Sequence, residues 1–176
     1  MKMQDERQIA ADRATVWAAL LSADVLKECV PGAQEVTGNP EAGFAATVVQ
    51  KVGPVKATFK GHVTLLDMIE PESLTLSGEG KGGAAGFAKG DAHVRLEESE
   101  CGTRLIYEVE AKVGGKLAQM GSRIVDGFAK KMADQFFGNL EAVIEGPKEE
   151  TGKSAGETAE ETEKKGWLKR MISKKT

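Results

Sequence analysis

The sequence predicts an α+β domain, an antiparallel sheet whose apolar face is covered by one long C-terminal helix. Two periodicities carry that prediction. Through the middle of the chain apolar and polar residues alternate, as in half-buried strands; after residue 115 apolar residues recur every three or four positions, as in a helix with one apolar face. A one-sided sheet cannot bury itself, so the helix must lie against it. A chain of 176 residues suits a single domain, here residues 1–145, which is long enough to enclose a sizeable core.

A strand opens the chain and two short helices follow. Residues 12–21 read as the first helix: Asp12 is a good N-cap, and Val16, Trp17, Leu20 and Leu21 gather on one face. The second runs from Ala23 to Cys29 and stops at Val30-Pro31-Gly32, because Pro31 cannot continue a helix and Gly32 suits a turn. Five or six strands come next. From Val55 to Leu65 the inward set is Val55, Ala57, Phe59, Gly61, Val63 and Leu65, set against Lys56, Thr58, Lys60, His62 and Thr64. The alternation returns at Leu74 and Leu76, and again at Ala92, Val94 and Leu96. It is clearest at Leu105, Tyr107, Val109, Ala111 and Val113. Gly38-Asn39-Pro40, Glu70-Pro71-Glu72 and Cys101-Gly102 mark the turns. After Gly114-Gly115, a face of Leu117, Met120, Ile124, Phe128, Met132, Phe136 and Leu140 predicts one helix over 116–144.

Composition narrows the function. The net charge of −3 provides no global field to recruit nucleic acid. Cys29 and Cys101 lack C-x-x-C spacing, which fits a reducing compartment and a cytoplasmic protein. The opening MKMQDERQIAADR holds no apolar segment, so neither a secretion signal nor a membrane span is expected. Gly78, Gly80 and Gly83 match G-x-G-x-x-G, but they sit between two strand patterns where a dinucleotide fingerprint needs a strand-to-helix turn. That stretch reads as a mobile strand connection with Phe87 as its apolar contact. Gly152-Lys153-Ser154 would end a P-loop only if residue 147 were glycine, and it is Pro147. His62 and His93 fall on polar strand faces without ligand-spaced partners, so no metal is expected. No inward position of these strands carries Asp, Glu, Lys or Arg, so a general base is lacking and an enzyme is not expected.

The inward positions include small residues: Ala57, Gly61, Ala92 and Ala111. The helix facing them offers Met120, Phe128 and Met132, with Gly121 and Gly127 inside its run. From this pattern two readings stand, a filled core in which small residues meet large ones, or an apolar cavity. Tyr107 is either a core tyrosine or the one polar group that orients a ligand.

Several segments together resemble the CoxG family of carbon monoxide dehydrogenase subunits, within the START and Bet v 1-like (SRPBCC) superfamily. They are Val16-Trp17, Cys29-Val30-Pro31-Gly32-Ala33, the glycine-rich stretch from Ser77 to Asp91, Gly114-Gly115-Lys116-Leu117-Ala118-Gln119-Met120-Gly121, and Gln135-Phe136-Phe137. The resemblance covers roughly residues 1–145. It implies the helix-grip fold, a curved antiparallel sheet wrapped around the C-terminal helix with an apolar cavity between them. It also implies service to a molybdenum-containing carbon monoxide dehydrogenase and to its attachment to the membrane. Pattern and resemblance together point to a ligand site lined by Phe59, Val63, Leu76, Phe87, Val94, Tyr107, Met120, Gly121, Ile124, Phe128 and Met132. The expected function is a non-enzymatic carrier of a lipophilic ligand, preferably a respiratory quinone such as menaquinone or ubiquinone, with no covalent or metal cofactor. The alternatives are an adaptor that recruits carbon monoxide dehydrogenase to the membrane, and a small hydrolase or cyclase of the same fold.

Residues 146–163 read as an acidic flexible linker: Lys148 to Glu163 hold six glutamates against two lysines and no large apolar residue. In residues 164–176 the sign reverses. Lys164, Lys165, Lys169, Arg170, Lys174 and Lys175 surround Trp167, Leu168, Met171 and Ile172, with no acid among them. On a helix those four apolar residues span ~140° of arc. Such a segment suits the surface of an anionic bilayer, or else a groove on a protein. This tail, more than the folded domain, is expected to hold the protein on the inner face of the cell membrane.

Overall fold

A computed structural model describes residues 1–146. Its compact unit, Met1–Ile144, holds one antiparallel sheet of seven strands and the helices that pack on it. The strands are β1 (Lys2–Ile9), β2 (Ala33–Asn39), β3 (Gly43–Val52), β4 (Val55–Ile69), β5 (Ser73–Lys81), β6 (Phe87–Ser99) and β7 (Gly102–Gly114). The helices are α1 (Arg13–Leu20), α2 (Ala23–Cys29), α3 (Lys116–Gln119) and α4 (Ser122–Glu145). Strand order across the sheet is β1-β7-β6-β5-β4-β3-β2. Consecutive strands from β2 to β7 are therefore neighbours, and the N-terminal strand closes one edge.

Local signals set most boundaries. Asp12 caps α1 by accepting the Thr15 N–H at 2.9 Å, and Ser22 caps α2 by accepting that of Val25 at 3.3 Å. The expected turns fall between β2 and β3, β4 and β5, and β6 and β7. Thr103, fully buried, donates its hydroxyl to the Ala11 carbonyl at 2.7 Å and pins the start of β7 to the β1–α1 connection.

Two expectations are corrected. The helix predicted over 116–144 is broken: Met120 ends α3, and Gly121 turns with φ +94° before α4 begins. The apolar period of Leu117, Met120 and Ile124 runs through the break, which is why periodicity alone concealed it. The glycine-rich stretch is mostly strand. Gly78 and Gly80 belong to β5, and only Gly82–Gly86 turns, tied by a hydrogen bond from the Gly82 N–H to the Gly86 carbonyl at 2.8 Å. The strand glycines let the sheet bend. A Cβ on Gly90 would stand 2.2 Å from the Glu110 carbonyl oxygen, and one on Gly78 would stand 2.9 Å from Val63 Cγ2. Neighbouring strands lean in closer there than a side chain allows, and that curvature makes the inner face concave.

Candidate functional site

Burial along the concave face is graded. At the α1–α2 end, Ile9, Val16, Trp17, Cys29, Leu74, Val94, Leu96, Leu105 and Tyr107 form a packed core with Phe137 and Leu140 of α4. Tyr107 stacks on Phe137 with centroids 5.1 Å apart, and Asn139 donates to the Cys29 carbonyl at 2.9 Å. The C-terminal half of α4 is thus clamped. Toward the other end the inner face turns small. Ala46, Gly61, Gly80 and Ala88 stand in register across four strands, and Val63, Gly78, Gly90 and Ala111 follow in the next row. These residues are only half-buried, as are Phe59, Leu76, Phe128 and Met132. Partial exposure on the sheet and on the helix above it means that the two surfaces stand apart, leaving an apolar space. The gradient makes a contrast measurable by urea unfolding. Leu140→Ala should cost ~3 kcal/mol, as for a fully buried leucine, and Met132→Ala less than about 1 kcal/mol. Equal costs would mean the space is filled.

Three connections surround the opening. The β3–β4 hairpin tip reaches the α3–α4 junction: a Cβ on Gly53 would lie 3.4 Å from Met120 Sδ and 3.7 Å from Ile124 Cγ2. The Phe59 ring lies against Gly82, where a Cβ would come within 2.3 Å of its Cε1, so the Gly82–Gly86 turn seats on β4. The β7–α3 junction, Gly114-Gly115, supplies the third side.

The expected site residues therefore divide. Phe59, Val63, Leu76, Met120, Phe128 and Met132 come together on the half-buried stretch. Val94 and Tyr107 sit in the packed core. Phe87 faces outward with its ring over Gly114, Ile124 is exposed at the rim, and Gly121 marks the helix break. His62 and His93 point outward; His93 Nδ1 lies 3.1 Å from Thr75 Oγ1 in a shallow, polar groove of ≈ 410 Å³ on the convex face.

One inward ionisable residue escaped the sequence reading. Arg7 pairs with Leu105 in register and points to the core side of β1. Its guanidinium lies 5.1 Å from the Phe137 ring centroid and donates to Asp134 Oδ1 at 2.6 Å and to the Tyr107 hydroxyl at 3.5 Å. It clasps α4 to the sheet edge. The hydrogen bond from Arg7 holds the Asp134 carboxyl below the usual carboxylate range. A depressed carboxyl stabilises the fold at neutral pH and loses that contribution as pH falls through its folded-state value. Asp134→Asn should thus lower the melting temperature at pH 7, and the gap to wild type should close toward about pH 3. A pH-independent gap would assign the loss to something other than the clasp.

Among solved structures, a conserved protein from Geobacillus kaustophilus is 25% identical over 82% of this chain and 95% of its own, with a TM-score of 0.76. A protein from Chromobacterium violaceum is 16% identical over 82% and 98%, at 0.61. Ara h 8.0201 is 13% identical over 82% and 97%, at 0.57. The fold is accordingly the helix-grip, Bet v 1-like one. No curated protein matches the chain in sequence. Residues 6–145 match the family model described as the CoxG subunit of carbon monoxide dehydrogenase, which spans all seven strands, the concave face and both halves of the broken helix, and the chain belongs to that family.

Proposed function

We propose that the protein is a non-enzymatic carrier that takes a lipophilic molecule, preferably a prenylated quinone, into the space between the sheet and the first half of α4, in service of carbon monoxide dehydrogenase at the inner face of the cell membrane. The observation that carries the reading is the half-buried wall itself, with Gly61, Gly80, Ala88 and Ala111 on one side and Phe128 and Met132 on the other. Small residues leave volume, and flexible methionine adapts to an elongated apolar ligand. Each CH₂ buried there contributes ~0.8 kcal/mol, so a prenyl chain gains affinity with length. The nearest inward charge, Arg7, is already engaged by Asp134 and Tyr107.

The adaptor reading has one observation of its own. Leu66, Met68 and Ile69 are exposed at the end of β4, on the side of the sheet away from the opening. Such a tip suits a protein surface. Titration separates the two readings. A carrier binds a short-chain prenylated quinone saturably, one per chain, whereas an adaptor gives no saturable signal.

A further inference from the structure

The sheet's lysines collect at one end. On the outer face Lys51 stands directly opposite Lys56, Lys60 opposite Lys81, and Lys89 opposite Lys112. All are exposed, and among the described residues only Lys81 has an ion-pair partner, Glu79 at 4.0 Å. Like charges facing across a ladder destabilise it, so folding does not select three such pairs in one region. They lie around the opening formed by the β3–β4 tip, the Gly82–Gly86 turn and the α3–α4 junction. The turns at the opposite end are acidic: Asp67, Glu70 and Glu72 between β4 and β5, and Glu97, Glu98 and Glu100 between β6 and β7. The domain is polarised, with its basic end at the opening. Within that end two apolar side chains are exposed, Phe87 at 39% and Ile124 at 42%.

We propose that this end of the folded domain is a docking face for anionic membrane lipid, which sets the opening against the bilayer. The proposal takes its purpose, but not its chemistry, from the carrier reading. An anionic surface orients a charge-polarised domain, and lysine stems can lie along the interface while their ammonium groups reach phosphates. Phe87 and Ile124 supply the apolar contacts that a lipid interface accommodates among those cations. The lysines are spread around a rim, which fits a sheet of headgroups better than a single acidic peptide.

The test places an environment-sensitive thiol dye at each end of the full-length chain. Cys101 takes the dye at the acidic end, since Cys29 is buried and its thiol is pushed up to about 11. Ala84→Cys in a Cys101→Ser background takes it at the opening, where Ala84 is exposed. Vesicles containing phosphatidylglycerol should blue-shift the Ala84→Cys label and leave the Cys101 label unchanged. Adding Lys51→Glu, Lys60→Glu and Lys89→Glu together should cut that shift at least fivefold while the chain still co-sediments. An equal response at both ends, or a full shift after charge reversal, would overturn the proposal. So would an opening label that is silent on vesicles but responds to polyglutamate, which would assign the face to an acidic protein. The dye needs no ligand, so a shift without saturable quinone binding would support the docking face and sink only the carrier reading.

Discussion

Replacing Gly80 with phenylalanine is expected to abolish uptake of the lipophilic ligand while leaving the domain folded. Gly80 faces the concave side between Gly61 of β4 and Ala88 of β6. A Cβ built there comes no closer than 4.0 Å to the Lys60 carbonyl oxygen, so the position accepts a side chain without moving a neighbouring strand. The added ring occupies roughly 150–250 Å² of apolar contact that the ligand would otherwise use. An aromatic residue also suits a strand better than glycine, so the melting temperature should hold or rise. Quinone affinity should fall at least tenfold, or about 1.4 kcal/mol. Neighbouring glycines make poorer probes. Gly78→Phe would collide with Val63, and Gly121→Trp would force a side chain onto a backbone with φ +94°, at a cost of roughly 1–2 kcal/mol. Undiminished binding to Gly80→Phe would place the ligand elsewhere.

Ending the chain at Gly146 is expected to remove most vesicle binding while fold and ligand remain. The deleted residues, the linker and tail read from the sequence, lie outside the described residues. Their chemistry rests on composition: Trp167, Leu168, Met171 and Ile172 partition into the interface, aided by six cations at ~1 kcal/mol each near an anionic surface. Trp167→Ala should weaken binding substantially, and raising salt should weaken it too, because the charges act through a screened field. Residues 146–166, treated as a flexible chain, would let the domain stand on the order of 25 Å from its anchor. The lysine-rimmed end of the domain then orients what the tail has recruited, and its hold alone is weak. Co-sedimentation of the truncated protein equal to that of the full chain would put the anchor on the domain and assign the tail to a protein partner.

The sheet was legible because burial on one face writes itself as alternation. Phe59, Val63, Leu65, Val94, Leu105 and Tyr107 all point inward as that pattern requires. Pro31 and the N-caps Asp12 and Ser22 bounded the short helices equally well. What stayed hidden depends on partners far away in sequence. Arg7 lies in a strand, KMQDERQI, whose edge position leaves it too polar to alternate, and only the register with β7 shows which way it points. Gly121 breaks the helix without disturbing its apolar period, because α4 resumes on the same face. Val94 and Tyr107 share the inward face with Phe59 and Val63. Periodicity cannot say where along a strand the packed core gives way to open space, since that depends on how far α4 is drawn in by Phe137, Leu140 and the Arg7 clasp. The lysine rim was equally invisible, because its pairs meet only across strands.

Whether the concave space carries an apolar molecule is tested most directly by native mass spectrometry of the full chain, freshly purified without detergent from membrane-containing lysate. A carrier should appear with one extra mass per chain, released into organic solvent on denaturation and absent from Gly80→Phe. A spectrum showing only the bare chain, or the same adduct on wild type and Gly80→Phe, would contradict it.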